Sequence, residues 1–134
     1  MIPGLDQLTD ITLLALCIYC EARGEPEEGQ IAVAYVIRNR VTHPRWWGDS
    51  IQSVILTPCQ FSWTMNGNPE HIDPAKLPDL ALQAEIANSV LAGTAANPIN
   101  GANLYFAAYM RPWPAWARKT DFIAQIGRHR FYQE

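Results

Sequence analysis

Between Leu13 and Cys20 the chain is apolar at almost every position, and Leu14, Cys17, Ile18 and Glu21 stand at i, i+3, i+4 and i+7. That spacing places all four on one face of a helix. Thr9 or Asp10 can cap its start, and the helix is predicted to run to about Ala22. Gly24 suits a left-handed C-cap, and Pro26 opens a second helix to about Arg40, with Glu27 and Glu28 complementing the dipole of its first turn. The centre of the second helix, residues 31–37, is apolar on all sides, the pattern of a buried central helix.

Beyond it the punctuation becomes denser. A turn at 42–44 leads into a loop with Trp46, Trp47 and Gly48, and Asp49 or Ser50 can cap a short helix over 51–56, closed by Pro58. Residues 59–64 alternate polar and apolar, predicting a short strand or an extended loop edge; 66–69 read as a turn, with a loop up to Pro78. Asp79 is the expected cap of a helix to Leu91, ended by Gly93. After a turn at 97–101, residues 103–109 look extended and 110–116 form a Pro-rich loop. Residues 122–126 are predicted as a helical turn, Gly127 as a break and 129–132 as a short terminal strand. The expected class is α+β, helix-dominant, one domain over 1–134 with a small β/loop subdomain.

Glu21 is the position where chemistry enters. It continues an apolar stripe at the point where its helix stops, and burial among apolar groups raises a carboxyl pKa, as a general acid near neutral pH requires. Arg23 is two residues on and points to another side of the helix, so it is poorly placed to neutralise Glu21. The ordinary alternative is a solvated glutamate at a helix end.

With 134 residues, 49% hydrophobic and 17% charged, the chain can bury a core, and a net charge of −3 gives no reason to expect nucleic acid as a partner. The charge is uneven: residues 1–30 carry six acids against Arg23, whereas 111–130 carry Arg111, Arg118, Lys119, Arg128 and Arg130 against Asp121. A basic wall of that kind suits a substrate with carboxylates, although solubility accounts for it equally well. No secretory signal and no bilayer-length apolar run are visible, so a monomer without membrane insertion, made in the cytoplasm, is expected. Three cysteines argue against a disulfide framework; Cys17 and Cys20, C-x-x-C within an apolar helix, read as core packing. His43, His71 and His129 are scattered, no H-E-x-x-H or G-x-S-x-G occurs, and Cys59 has no nucleophile context, so no metal or other cofactor is expected. Loop aromatics (Trp46, Trp47, Trp63, Tyr109, Trp113 and Trp116) can stack on sugar rings or pin the loops to the core.

The run Glu21-Ala22-Arg23-Gly24-Glu25-Pro26-Glu27-Glu28-Gly29-Gln30-Ile31-Ala32-Val33-Ala34, continuing to Asn39-Arg40-Val41, resembles the signature of the spore-cortex-lytic enzyme family of cell-wall hydrolases. Gln60-Phe61-Ser62-Trp63, then Leu104-Tyr105-Phe106, then Ile126-Gly127 with His129, Phe131 and Tyr132 follow in the family's order, so the likeness spans about 11–132. It implies a lysozyme-like, lytic-transglycosylase-type fold that cuts the β-1,4 bond between N-acetylmuramic acid and N-acetylglucosamine in peptidoglycan glycan strands. By the same resemblance Glu21 is the catalytic acid, with Glu25 as the alternative. Tyr105 and the segment Gln60, Phe61, Ser62 and Trp63 should line the groove, joined by Glu25 and Tyr109, and His129 should be a structural hydrogen-bonder near the site. One acid suffices for a transglycosylase. A hydrolytic muramidase needs a second carboxylate, for which Glu25, Asp49 and Asp73 are the candidates. A non-catalytic glycan-binding module and a zinc amidase are the more distant alternatives.

The sequence departs from the family in two ways. Family members are exported and often carry a wall-binding domain, whereas this sequence shows neither, which resembles a single-domain phage endolysin kept in the host cytoplasm until a holin opens the membrane. Cys17 and Cys20 stand where members tend to have small residues, which fits a reducing compartment.

Overall fold

The computed structural model describes residues 1–58, 60–68 and 70–134. Helix α1 (Asp10–Ala22) starts at Thr9, whose hydroxyl accepts the Thr12 N–H, and α2 (Glu27–Thr42) starts at Pro26 with Glu27 and Glu28 in its first turn. α3 (Ile51–Leu56) is closed at its start by a reciprocal Ser50–Ser53 capping box, and α4 (Ala81–Ala92) ends at Gly93 in the left-handed conformation. A three-stranded antiparallel sheet of β1 (Leu104–Ala107), β2 (Asp121–Ile126) and β3 (His129–Gln133) completes the fold, with β3 in the middle.

α1 packs against α2, α3 and α4, while α2 also contacts α3, α4 and β2. Leu14, Cys17 and Ile18 are fully buried, as the stripe on α1 predicts, and residues 32–37 of α2 are buried all round. Burying such side chains contributes roughly 1.5–3 kcal/mol each before chain entropy is counted. No helix among the described residues is long and apolar enough to cross a membrane.

The structure corrects several expectations. Residues 62–64 form a 3-10 turn whose Trp63 is buried, not a strand; Cys59 and Pro69, at the ends of the predicted edge and turn, lie outside the described residues. β2 replaces the expected helical turn, because pairing with β3 satisfies its backbone, with a bulge between Phe122 and Ala124. Leu80, not Asp79, is the N-cap of α4; the Asp79 carboxylate accepts the Ala81 N–H one residue upstream.

The corner between α1 and α2 is also built differently. α1 ends at Arg23 in right-handed conformation, so Gly24 is not a left-handed cap. A Cβ on Gly24 would sit 2.9 Å from Nη2 of Arg128, and one on Gly127, at φ +57°, would sit 2.5 Å from Oε1 of Glu25. Both glycines therefore make room for one contact: Glu25 accepts the Arg128 backbone N–H at 2.7 Å and its Nε at 2.8 Å. That contact ties the helical corner to the β2–β3 turn. Burial raises the Glu25 carboxyl pKa, but the Arg128 N–H and guanidinium, with His129 close by, outweigh it and hold the group below its ordinary value.

Glu25→Ala is expected to destabilise the fold by about 2 kcal/mol, because two charge-assisted hydrogen bonds are lost at a buried site. The stabilisation from Glu25 is present above the ordinary glutamate pKa and disappears as pH falls through the lowered one. Urea unfolding of wild type and variant should therefore converge in acid; an equal gap at pH 7 and at strongly acidic pH would contradict this.

Candidate active site

The side chain of Glu21 emerges from the last turn of α1 and is half-buried in a cavity of about 260 Å³. Gln60 and Phe61 from the loop after α3, Tyr105 from β1, His129 from β3 and Arg40 from α2 share its walls. Five residues named from the sequence thus converge: Glu21, Gln60, Phe61, Tyr105 and His129. Four do not reach the cavity. Glu25 is turned into its pair with Arg128, with 3% of its side chain exposed. Trp63 is 1% exposed and packs in the core; Ser62 is exposed beside the cavity, its carbonyl accepting from Asn68; and Tyr109 projects from the loop after β1. The groove roles expected of Glu25 and Trp63 are therefore replaced by structural ones: an ion pair and a core anchor.

The Tyr105 hydroxyl donates a hydrogen bond to Oε1 of Glu21. Burial is the main cause that raises the Glu21 carboxyl pKa; the Tyr105 hydrogen bond and the nearby Arg40 partly offset it, and Glu70 adds to it. Burial and the adjacent Glu21 drive the Tyr105 phenol well above its ordinary range, so it remains a donor. With Oε1 engaged, Oε2 is the oxygen left to present a proton.

Arg40 is a functional candidate that the charge pattern did not flag. Its Nε donates to the Asn103 carbonyl at 2.8 Å, its guanidinium lies 5.4 Å from the Trp47 ring centroid, and Nη1 is buried with no partner among the described residues. Its neighbour Asn39 donates to the carbonyls of Asn100 and Ala102, both at 2.9 Å. The Asn39-Arg40 pair thus fixes the segment entering β1 and hence Tyr105. The only sequence signal for Arg40 is its place in the Asn39-Arg40-Val41 motif. Glu70 was missed as well. It pairs with Arg23 at 3.0 Å, close enough to act electrostatically on Glu21.

His129 stands beside the site, as expected, but through ring packing: its ring meets Tyr105 edge-on at 5.2 Å, and buried Nδ1 has no partner among the described residues. Burial lowers its pKa, with Glu25 opposing and Arg128 adding to the shift. The Cys17 and Cys20 thiols are unbridged; burial drives Cys17 well up and Cys20 to about 12, so both are packing groups and not nucleophiles.

Four helices around a buried core, with a small sheet carrying part of the cavity and a half-buried glutamate at a helix end, make an α+β domain of the lysozyme-like class, as the solved structures similar to it bear out. The cell wall hydrolase family matches residues 24–132, beginning just after Glu21. Spore cortex-lytic enzymes of Halalkalibacterium halodurans and Bacillus subtilis are 34% and 35% identical over 91% and 96% of this chain. The chain spans only 34% and 39% of their length. The catalytic domain of the germination-specific lytic transglycosylase SleB from Bacillus anthracis superposes with a TM-score of 0.75 at 28% identity, covering 99% of this chain and all of that one. The Bacillus cereus SleB catalytic domain gives 0.76 at 31% identity, over 92% and 89% of the two chains. The chain belongs to the cell wall hydrolase family.

Tyr105→Phe removes a hydrogen bond that favours the charged form of Glu21, so it should raise the Glu21 pKa further. If protonated Glu21 is the active form, the alkaline limb of the pH–kcat/KM profile moves to higher pH while the maximal rate falls. A limb that moves to lower pH would contradict the arrangement.

Proposed function

We propose that this domain cleaves peptidoglycan glycan strands between N-acetylmuramic acid and N-acetylglucosamine as a lytic transglycosylase, with Glu21 as general acid. The observation that carries the proposal is a half-buried carboxyl, raised in pKa and held by Tyr105, in a cavity whose described lining contains no other carboxylate. The SleB likeness supports the reaction class.

Protonated Glu21 donates its proton to the glycosidic oxygen, and the C1–O bond breaks through an oxocarbenium-like transition state. The muramyl C6 hydroxyl then attacks C1 and returns its proton to the Glu21 carboxylate, which leaves a 1,6-anhydro end and a regenerated acid. Tyr105 fixes the carboxyl during both transfers. Arg40, which lines the cavity and whose buried Nη1 has no partner among the described residues, supplies positive charge beside the reacting carboxyl.

Hydrolysis by a muramidase is the second reading, and Glu70 is the observation that favours it. It acts electrostatically on Glu21, although it pairs with Arg23 and lines a neighbouring cavity; Glu25 is buried in its pair with Arg128. For biological setting we propose a phage endolysin that waits in the host cytoplasm for a holin; the unbridged Cys17 and Cys20 support a reducing compartment. The relatives are spore cortex-lytic enzymes, and a gene lying within a sporulation operon would overturn this setting.

Mass spectrometry of soluble products from purified peptidoglycan tests the chemistry. Wild type and Glu70→Gln should both release anhydro-muropeptides, while Glu21→Gln should fall by about 10²–10⁴-fold, the usual contribution of a general acid. Reducing-end products that vanish in Glu70→Gln would establish the muramidase instead. Free stem peptides, or full activity in Glu21→Gln, would contradict both.

A further inference from the structure

Alternation along β3 divides its side chains between two faces of the sheet. His129 and Phe131 turn towards Tyr105 and the helices, whereas Arg130 and Tyr132 turn the other way, beside Phe122 and Phe106 of the flanking strands. The Pro-rich loop after β1 folds over that second face and encloses a cavity of about 700 Å³, lined by Arg111, Trp113, Arg118, Phe122, Arg130 and Tyr132 among others. It is separate from the Glu21 cavity but adjoins it: Met110 lines one and Arg111, the next residue, lines the other.

Two features set this cavity apart from an ordinary basic surface. First, its three arginines have no carboxylate within ion-pair distance among the described residues, although Arg23, Arg45 and Arg128 each find one. Second, the cations are held against aromatic walls. The Arg130 guanidinium sits 4.1 Å from the Phe122 ring centroid and 4.7 Å from that of Trp113, and its Nε and Nη1 donate to Tyr132 and Gln125, both at 3.0 Å. Arg111 is fixed by donating to the carbonyls of Ala108 and Met110, and Trp113 by donating to Ala108. Arginine forks recognise carboxylates bidentately, and the half-exposed rings of Trp113 and Phe122 offer apolar surface to the rest of the same ligand. Such a cavity fits an anionic ligand with short apolar side chains.

We propose that this arginine–aromatic cavity binds the free carboxylates of the peptide stems that hang from muramyl residues, as a second binding site beside the one that cuts the glycan. The proposal rests on the glycan-cleavage function above. It makes Arg111, Arg118 and Arg130 of the basic stretch over residues 111–130 substrate-reading groups: a strand seated at Glu21 presents its stems at the rim, where the chain passes from Met110 to Arg111. The polymer recognised is the stem peptide and not a phosphate-bearing wall polymer.

The test compares purified peptidoglycan, stripped of phosphate polymers, with the same material after an amidase has removed its stems. Wild type should show a KM about fivefold lower on the stem-bearing strands, the size of effect expected of a solvent-accessible charged contact. Arg111→Ala/Arg118→Ala, and separately the charge reversal Arg118→Glu, should raise KM on stem-bearing strands and erase that preference. Both arginines are exposed, so thermal unfolding should show both variants folded. Equal KM for wild type on the two substrates, or a preference that survives in both variants, overturns the proposal. Binding of the free stem tripeptide, followed by the Trp113 indole NMR signal in wild type and double variant, decides the matter even if wild type cuts neither substrate, the outcome in which glycan cleavage fails. Displacement of that signal by a teichoic acid polymer and not by the tripeptide also overturns it.

Discussion

A carboxyl group that ends an apolar helix stripe must either reach water or find a partner that tolerates its burial. Glu21 is held between these outcomes, because Leu14, Cys17 and Ile18 fix its face of α1 in the core while Tyr105 supplies one hydrogen bond from the sheet. One neutral donor cannot replace a hydration shell, so burial prevails and the protonated form is favoured. The rest of the site serves that placement. Asn39 and Arg40 hold the segment before β1, β1 carries Tyr105, and His129 packs against the Tyr105 ring.

Four residues further on, Glu25 meets the opposite fate from the same starting chemistry. It too is buried, but it receives a backbone N–H and a guanidinium, and these outweigh the desolvation. Two glutamates in one short motif are thereby driven apart in pKa by their surroundings, the pattern that separates an acid from a permanently charged group. The member with the lowered pKa joins the helical corner to the β2–β3 turn, and the one with the raised pKa faces the cavity. Gly24 of that motif and Gly127 of the β2–β3 turn leave room, by their missing Cβ atoms, for the Glu25–Arg128 contact.

Much of the helical layer was legible in the sequence because apolar periodicity and caps act locally: Thr9, Glu27, Ser50 and Gly93 sit at the ends their types predict. The sheet was less legible. Residues 122–126 carry no clear period, and β2 becomes a strand only because β3 pairs with it, a long-range fact. Trp63 alternates with polar neighbours yet is buried by a 3-10 turn. Within the site, Glu21 was marked by its stripe, and Gln60, Phe61, Tyr105 and His129 by the family likeness, whereas Arg40 and Glu70 act through contacts that only the folded chain creates. Glu25 was placed at the groove because spacing along a chain cannot show which way a side chain beyond a helix end will turn.

Direct titration of the Glu21 carboxyl is the measurement that bears most closely on this account. The side-chain carboxyl ¹³C signal, assigned by its loss in Glu21→Gln, should titrate above the ordinary glutamate range, and should move higher still in Tyr105→Phe. A Glu21 signal that titrates within the ordinary glutamate range or below it would mean that the group is charged at working pH, and the acid on which the proposed reaction depends would have to be sought elsewhere.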